Sequence, residues 1–295
     1  MANLKEIKIK IGSVKNTQKT TKAMKLVSSA KLTRTRQLSE QARSYARKIN
    51  DVLSDIAARV SKVQDEGNIS RAFVQNDTPK TVDIVFVTAD KGLCGGFNMA
   101  TIKAVSKLIA EYEAKGTKVR LRAAGRKGVD FFSFQGITLE QRVSDLSSAP
   151  DYDRAADFIN NVVEDFKNEV TDKVVLVYNG FLNMLAQEVR VRELLPISLE
   201  KVEISDTDSM LNIEPEDDED EVLNELTEKY IDFNMYYALI DSLAAEHSAR
   251  MQAMEAATKN AKEKVNSLTV EYNKARQAAI TTELIEIISG VEALK

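Results

Sequence analysis

The two ends of the chain carry a heptad pattern of apolar positions that the middle lacks. Steps of alternately three and four residues from Tyr237 to Glu286 meet alanine or another apolar residue at most positions, which is typical of a coiled-coil seam. Nearer the start the turns around Thr21 are too polar for a dry seam. Since both ends are nearly free of Gly and Pro, we predict long helices over 3–60 and 219–289 that pair as an antiparallel coiled coil. The seam predicted for the first helix is Leu38, Ala42, Tyr45, Ile49, Val52 and Ile56.

Between these helices, short runs of β-branched residues alternate with helical patterns. The alternation, with two adjacent strands at its end, indicates an open α/β sheet of Rossmann-like type. We therefore predict a fold that combines an α/β domain with a long antiparallel coiled coil. Its parts are an N-terminal coiled-coil helix over 1–66, a central α/β domain over 67–215 and a C-terminal coiled-coil helix over 216–295. Strands are predicted at 81–88, 118–124, 137–143, 173–179 and 186–195, with a candidate edge strand at 209–215, and helices at 97–114, 126–135 and 152–168.

A glycine-rich loop, "GLCGG" at 92–96, joins the first predicted strand to a helix that begins at Phe97. Many nucleotide sites have this arrangement. A P-loop, however, needs Lys and Ser/Thr after its glycines, and a dinucleotide site needs G-x-G-x-x-G. Neither pattern is present, so we predict that Gly92, Gly95 and Gly96 form a tight structural turn and bind no nucleotide.

Other routes to catalysis find little support in the sequence. The single histidine, His247, lies on the coiled-coil seam, where packing is the simpler role. The single cysteine, Cys94, has no histidine near it and cannot form an internal disulfide, so a reducing compartment is expected. No metal-ligand spacing occurs, and we predict no catalytic residue, cofactor or metal.

Charge is distributed unevenly. Residues 1–50 hold 13 lysines and arginines against two acids, Glu6 and Glu40, whereas the run at 214–221 is acidic. The basic residues are interleaved with Thr, Ser and Ala and only Tyr45 offers a stacking surface, so a solvated or protein-facing helix is expected and nucleic acid is not. The acidic run fits either the first turn of the C-terminal helix or a solvated linker. No apolar run is long enough to span a bilayer, so any membrane association is expected to be indirect.

The last turns of the C-terminal helix are apolar on more than one face. A helix tip of this kind needs a partner that encloses it. The residues concerned are Leu284, Ile285, Ile287, Ile288 and Val291.

Three stretches together resemble the gamma subunit of F-type ATP synthases: "IGSVKNTQKTTKAMKLVSSAKL" at 11–32, "TADKGLCGGFN" at 88–98 and "EYNKARQAAITTELIEIISG" at 271–290. The resemblance covers nearly the whole chain. It implies a non-catalytic rotor shaft that couples ion flow through a membrane ring of c subunits to ATP synthesis or hydrolysis. The coiled coil would turn inside three alpha and three beta subunits, and the α/β domain would lie near the c ring and the epsilon subunit. The implied location is the cytoplasmic face of a bacterial inner membrane rather than a mitochondrion.

The resemblance also implies contacts for individual residues. Lys22, Met24 and Lys25 would face the lower parts of the beta subunits, and Arg276 and Gln277 would hydrogen-bond a beta-subunit loop. The apolar tip would sit in a bearing. Glu214, in "NIEP", is similar to the family's Tyr-Glu-Pro near the c ring, although Ile213 replaces the tyrosine.

Two other classes remain open from the residues alone. One is an α/β enzyme that binds a nucleotide and carries a coiled-coil arm, and nucleotide binding by the isolated chain would favour it. The other is a generic coiled-coil tether, which a parallel self-dimer in solution would favour.

Overall fold

The structure is a computed structural model that describes residues 4–63, 71–76, 78–197 and 219–293. Its α-helices are α1 (Leu4–Val63), α2 (Phe97–Ala114), α3 (Arg126–Phe134), α4 (Tyr152–Lys167) and α5 (Glu219–Ala293). Its strands are β1 (Thr81–Val87), β2 (Lys118–Ala124), β3 (Leu139–Val143), β4 (Lys173–Phe181) and β5 (Gln187–Leu195). Each agrees with a predicted element to within a few residues. The candidate strand at 209–215 lies outside the described residues.

The chain divides into two compact units. One contains residues 1–29 and 250–295, and the other contains residues 30–249. The two units are described separately, the first as the coiled-coil unit and the second as the sheet unit.

In the coiled-coil unit α1 and α5 run antiparallel. The hydroxyls of Thr21 and Thr258 are 2.8 Å apart, and one turn further along α1 the Nζ of Lys25 lies 2.6 Å from Oε1 of Glu255. The residue number therefore falls in α5 as it rises in α1. Ile7, Thr21 and Ser28 of α1 are buried, as are Met254, Ala261 and Leu268 of α5. The polar turns around Thr21 thus continue the seam through a hydroxyl–hydroxyl contact.

The sheet unit is built on a five-stranded sheet with the strand order β3-β2-β1-β4-β5. The first four strands are parallel, and β5 pairs antiparallel with β4. The chain moves outward from β1 to β2 and β3, and then returns through α4 to β4 on the other side of β1. This reversal makes the carboxyl end of β1 a topological switch point, the place where doubly wound sheets bind ligands.

Alternation along β1 sends its side chains to two separate cores. Ile84 and Phe86 face α2 and α3, where they pack with Ile102, Val105 and Phe132. Val85 and Val87 face the opposite side, where α4 and α5 cover the sheet. The helical residues of that second core include Phe158, Ile159, Val162, Phe166, Ile231, Met235 and Leu239. The sheet is buried on both faces, as expected for parallel strands.

The seam predicted for α1 is partly wrong in the sheet unit. Leu38 is 44% exposed and Tyr45 is 53% exposed, although the Tyr45 ring meets the edge of Phe233 with centroids 4.5 Å apart. Among the side chains of α1 that the structure describes in this unit, the buried ones are Leu32, Thr35, Ser39 and Ala42, and only Ala42 belongs to the predicted seam. The side chain of Ile56 lies outside the described residues. Small polar side chains are buried here because Thr35 bonds the carbonyls of its own helix and Ser39 bonds α5.

Candidate functional site

The glycine-rich loop connects β1 to α2 at the switch point of the sheet. Gly95 has φ of +59°, a conformation that glycine adopts without steric cost. Gly92 and Gly96 have open space where a Cβ would stand, and their backbone does not require glycine. The turn therefore depends on Gly95, and Leu93 also adopts a left-handed conformation, with φ of +63°.

The carboxylate of Asp90 lies where the glycine-rich loop meets two other loops, the one between β2 and α3 and the one that follows β3. Its Oδ1 accepts the backbone N–H of Arg126 at 3.0 Å and that of Asp145 at 3.1 Å, and its Oδ2 accepts the Ser147 hydroxyl at 2.9 Å. Burial alone would raise the pKa of Asp90, but the N–H donors of Arg126 and Asp145 and the Ser147 hydroxyl outweigh it and lower the pKa below its ordinary value. Since Arg126 is the first residue of α3, a side chain of the protein itself occupies a helix N-terminus that could hold an anion.

Two further glycines bring α3 against the end of β1. A Cβ on Gly125, which has φ of +110°, would lie 1.9 Å from the carbonyl oxygen of Thr88. A Cβ on Gly128 would lie 2.5 Å from the Phe86 ring. The Thr88 hydroxyl donates to the Gly125 carbonyl at 3.1 Å and accepts the Gly128 N–H at 2.9 Å. The close approach leaves no room for a ligand between β1 and α3.

The apolar residues of the glycine loop pack onto α5. Ala89, Cys94 and Phe97 form a buried cluster with Ala245 and Ala249. The loop is a packing element between the sheet edge and α5. That its glycines bind no nucleotide stays a prediction. His247, also on α5, is buried as predicted.

Within the described part of the chain, no cluster of His, Cys, Asp or Glu could hold a metal ion.

No described helix combines the length and apolar character needed to cross a bilayer.

The predicted contact residues of α1 lie in the coiled-coil unit with different degrees of exposure. Lys22 is exposed and Met24 is half-buried. Lys25 is half-buried, and its ammonium group is paired with Glu255. A partner carboxylate could contact Lys22 directly but would have to compete with Glu255 for Lys25.

Arg276 and Gln277 lie on α5 level with the first described residue of α1. The Thr21–Thr258 contact fixes a register in which Leu4, the first described residue of α1, lies level with a point on α5 just before Arg276. Both side chains are exposed, and among the described residues no ion pair involves Arg276. These groups are therefore free for a partner.

Beyond that point the tip of α5 exposes large apolar side chains on several faces. Successive residues turn by about 100°, so neighbours such as Ile287 and Ile288 cannot share one narrow stripe. A surface of this kind is typical of a protein interface. The exposed fractions are 58% for Leu284, 57% for Ile285, 66% for Ile287, 59% for Ile288 and 55% for Val291.

Comparison with known proteins identifies the family. A family model described as ATP synthase matches residues 3–294. The chain is 90% identical to the ATP synthase gamma chain of Aliarcobacter butzleri, over 100% of both chains. The chain belongs to the ATP synthase gamma-chain family. Among solved structures it is similar to the central stalk and c-ring of the mitochondrial ATP synthase of Tetrahymena thermophila, with 26% identity, a TM-score of 0.62 and coverage of 80% of this chain and 98% of that one. It also shares its fold with the rotor of the Euglena gracilis enzyme, with 17% identity, a TM-score of 0.64 and coverage of 94% and 98%.

Membership of the gamma-chain family confirms three predictions. The fold is an α/β domain with an antiparallel coiled coil, the role is that of the central rotor stalk, and the subunit is non-catalytic. The glycine-rich loop of this gamma chain accordingly has the architecture of a nucleotide site without its phosphate ligands.

Sequence reasoning missed several of the residues that hold this gamma chain together. In the sequence Asp90 stands inside the motif "TADKGLCGGFN", which does not show what its side chain binds, whereas Gly125 and Gly128 carry a readable signal. The pair forms G-x-x-G directly after a predicted strand, which is a signal for close helix–strand packing. Gly180 directly follows the strand predicted at 173–179 and lies inside the observed β4, where glycine often marks a close approach. Glu214, the predicted c-ring contact, lies outside the described residues.

Proposed function

We propose that the chain is a rotor that couples ion flow through a membrane ring of c subunits to ATP synthesis or hydrolysis in a ring of three alpha and three beta subunits. The coiled coil turns inside the alpha and beta subunits, and the α/β domain contacts the c ring and the epsilon subunit. The exposed apolar tip of α5 carries this proposal, because such a tip is explained by a bearing that surrounds it.

The exposure of the tip favours a partner over a free helix. Each of its large side chains is more than half exposed. Full burial of one such side chain is worth about 1.5–3 kcal/mol. An apolar collar around the tip would therefore stabilise the assembled state. Because such contacts include no hydrogen bonds, none has to break when the helix rotates.

The residues next to the tip supply contacts of a different kind. Arg276 and Gln277 are exposed polar groups, and a guanidinium can bind a carboxylate through two parallel hydrogen bonds. We assign them to a beta-subunit loop, together with Lys22, Met24 and Lys25 on α1. Glu214 is assigned to the neighbourhood of the c ring.

The complex is proposed to lie on the cytoplasmic face of a bacterial inner membrane, with this chain attached through other subunits. The 90% identical gamma chain comes from a bacterium, which supports the bacterial assignment.

The test is purification of the tagged full-length chain from its native membrane in a mild detergent. We expect alpha, beta, epsilon and c subunits to co-purify, and the complex to hydrolyse Mg-ATP while the isolated chain does not. Recovery of the chain as a soluble parallel homodimer would instead indicate a tether, and micromolar nucleotide binding by the isolated chain would indicate an enzyme.

A further inference from the structure

A buried carboxylate of α5 joins both long helices to the sheet inside the sheet unit. Asp241 is 2% exposed. Its Oδ2 lies 2.6 Å from Nη1 of Arg190 on β5, and its Oδ1 accepts the Ser39 hydroxyl of α1 at 3.2 Å and the backbone N–H of Phe181 on β4 at 3.4 Å. One side chain thus contacts α1, β4 and β5 from a position on α5.

Gly180 of β4 makes room for the Asp241 carboxylate against the sheet. A Cβ on Gly180 would lie 2.6 Å from Oδ2 of Asp241 and 2.7 Å from Nε of Arg190. A Cβ at this position would force at least one of the two charged groups to shift. The strand therefore carries glycine where the Asp241–Arg190 pair crosses it.

The guanidinium of Arg190 is charged and is positioned by its neighbours. It lies opposite Tyr178 in the β4–β5 ladder, and its guanidinium stands 6.0 Å from the centre of that ring. Burial alone would lower the pKa of Arg190, but the Asp241 carboxylate outweighs it and raises the pKa above its ordinary value. A second polar contact lies two turns further along α5, where the Ser248 hydroxyl donates to the Met184 carbonyl at 3.0 Å.

These contacts differ physically from those that α5 makes with the glycine-rich loop. The glycine-loop cluster of Ala89, Cys94 and Phe97 is apolar, and apolar contacts are non-directional. Hydrogen bonds and ion pairs weaken steeply when their geometry changes, so they resist sliding of one element along another. A shaft under load needs that resistance where it is fastened to the sheet.

We propose that Ser39, Arg190 and Asp241 form a torque joint that fastens both helices of the shaft to the α/β sheet and carries load between them during coupled turnover. The proposal rests on the rotor function proposed above. These are positioning residues that touch no substrate, and their effect is expected only when the rotor works against a load.

The torque joint can be weakened by substitutions that keep side chains of similar size. Asp241→Asn retains acceptors for Ser39 and Phe181 but loses the ion pair with Arg190. Arg190 lines an open cleft of about 540 Å³, so its charge can turn toward solvent. The matched control is Glu228→Gln, which removes an exposed ion pair between α5 and Lys167 on α4. Ser39→Ala is a milder variant that leaves the ion pair intact.

The experiment compares loaded and unloaded turnover in the full complex. Membrane vesicles containing the complex are given Mg-ATP, and a potential-sensitive dye reports the charge moved, whichever cation is pumped. ATP hydrolysis is then measured on the same complex after release from the membrane. For Asp241→Asn we expect the steady dye response to fall at least about twofold while hydrolysis by the released complex stays near the wild-type rate. The directional ion pair is lost, whereas the acceptor for Ser39 and Phe181 remains.

Every outcome decides the proposal. Glu228→Gln should change neither measurement, and Ser39→Ala should give a smaller loss of dye response than Asp241→Asn. An unchanged dye response in assembled Asp241→Asn complexes overturns the torque joint, and so does a parallel loss of both measurements, which would indicate a merely structural role. If Asp241→Asn does not assemble, the same criteria apply to Ser39→Ala. A wild-type complex without ATP-driven charge movement would contradict the proposed function itself.

Discussion

The Asp90 carboxylate offers the sharpest prediction about the glycine-rich loop. Asp90→Ala would leave the N–H groups of Arg126 and Asp145 and the hydroxyl of Ser147 without their acceptor in a site where Asp90 is only 7% exposed. A hydrogen bond to a charged group is worth about 1.5–3 kcal/mol, and a donor left unsatisfied in the interior costs about 1–3 kcal/mol. Water can reach part of the site, so we expect a total loss of about 3–5 kcal/mol in the free energy of unfolding.

The assay is urea denaturation of the full-length chain, followed by far-ultraviolet circular dichroism. Asp90→Asn keeps one carbonyl acceptor and should lose about half as much stability as Asp90→Ala. The control is Asp145→Asn in the same cluster of loops, because the Asp145 side chain is 71% exposed and asparagine tolerates its φ of +65°. That variant should change the unfolding free energy by less than about 0.5 kcal/mol.

The lowered pKa of Asp90 adds a dependence on pH. Because the folded-state pKa lies below the unfolded value, the contribution of Asp90 is present above the unfolded pKa and is lost as pH falls through the folded one. The difference in stability between wild type and Asp90→Asn should therefore shrink in acid. A loss for Asp90→Ala no larger than that of Asp145→Asn, or a difference independent of pH, would refute the reasoning.

Three further predictions concern packing, rotor contact and titration. Gly125→Ala should prevent stable folding, as seen by loss of the cooperative thermal transition, because its Cβ would stand 1.9 Å from the Thr88 carbonyl oxygen. Replacing Arg276 and Gln277 together by alanine should lower steady-state ATP hydrolysis by the assembled complex, while the melting temperature of the free chain stays nearly unchanged because both residues are exposed. Asp232→Asn should raise the unfolding free energy at pH 8 by about 1–2 kcal/mol and have little effect near pH 4. Burial, assisted by Glu228 and Asp157, raises the pKa of Asp232 to about 6, so the wild type loses stability as pH rises through that value.

Matched variants check each of these outcomes. Gly116→Ala also has positive φ, +76°, but open space around the new Cβ, so it should cost only the backbone strain of about 1–2 kcal/mol. Arg276→Lys should recover part of the hydrolysis rate, since lysine cannot form the bidentate contact. Asp157→Asn removes only the smallest contribution to the raised pKa of Asp232, so at pH 8 it should raise the unfolding free energy by much less than Asp232→Asn does. Folding of Gly125→Ala, full activity of the double alanine variant, or a loss of stability for Asp232→Asn at pH 8 would each contradict the corresponding reasoning.

The helices and strands could be predicted from the sequence because their patterns are local. Breaker-free heptads predict α5, and runs of β-branched residues predict β1 and β4, each within a few residues of the observed ends. The absence of Lys and Ser/Thr after Gly96 is visible in the sequence, so a structural turn that binds no nucleotide can be predicted there, and it stays a prediction.

The polar interior could not be predicted, because its partners are distant in sequence. In β2, "KVRLRAA" looks half-exposed, yet Arg122 is only 4% exposed and bonds Asp83 at 2.7 Å and also Asp165. Asp241 meets Arg190 and Ser39 in the same way. Heptad spacing predicts Leu38 in the seam, but Leu38 is 44% exposed, because the face of α1 that packs depends on the residues of α5 that lie opposite it.

Direct observation of rotation tests the central claim most directly. The alpha and beta subunits are fixed to a surface, and a bead is attached through a cysteine at Phe134, whose side chain is 93% exposed, in a chain with Cys94→Ser. With Mg-ATP we expect rotation in one direction in steps of about 120°, as three-fold symmetry of the surrounding ring requires. A bead that stays still, or only fluctuates without direction, while the same complexes hydrolyse ATP would contradict the rotor account.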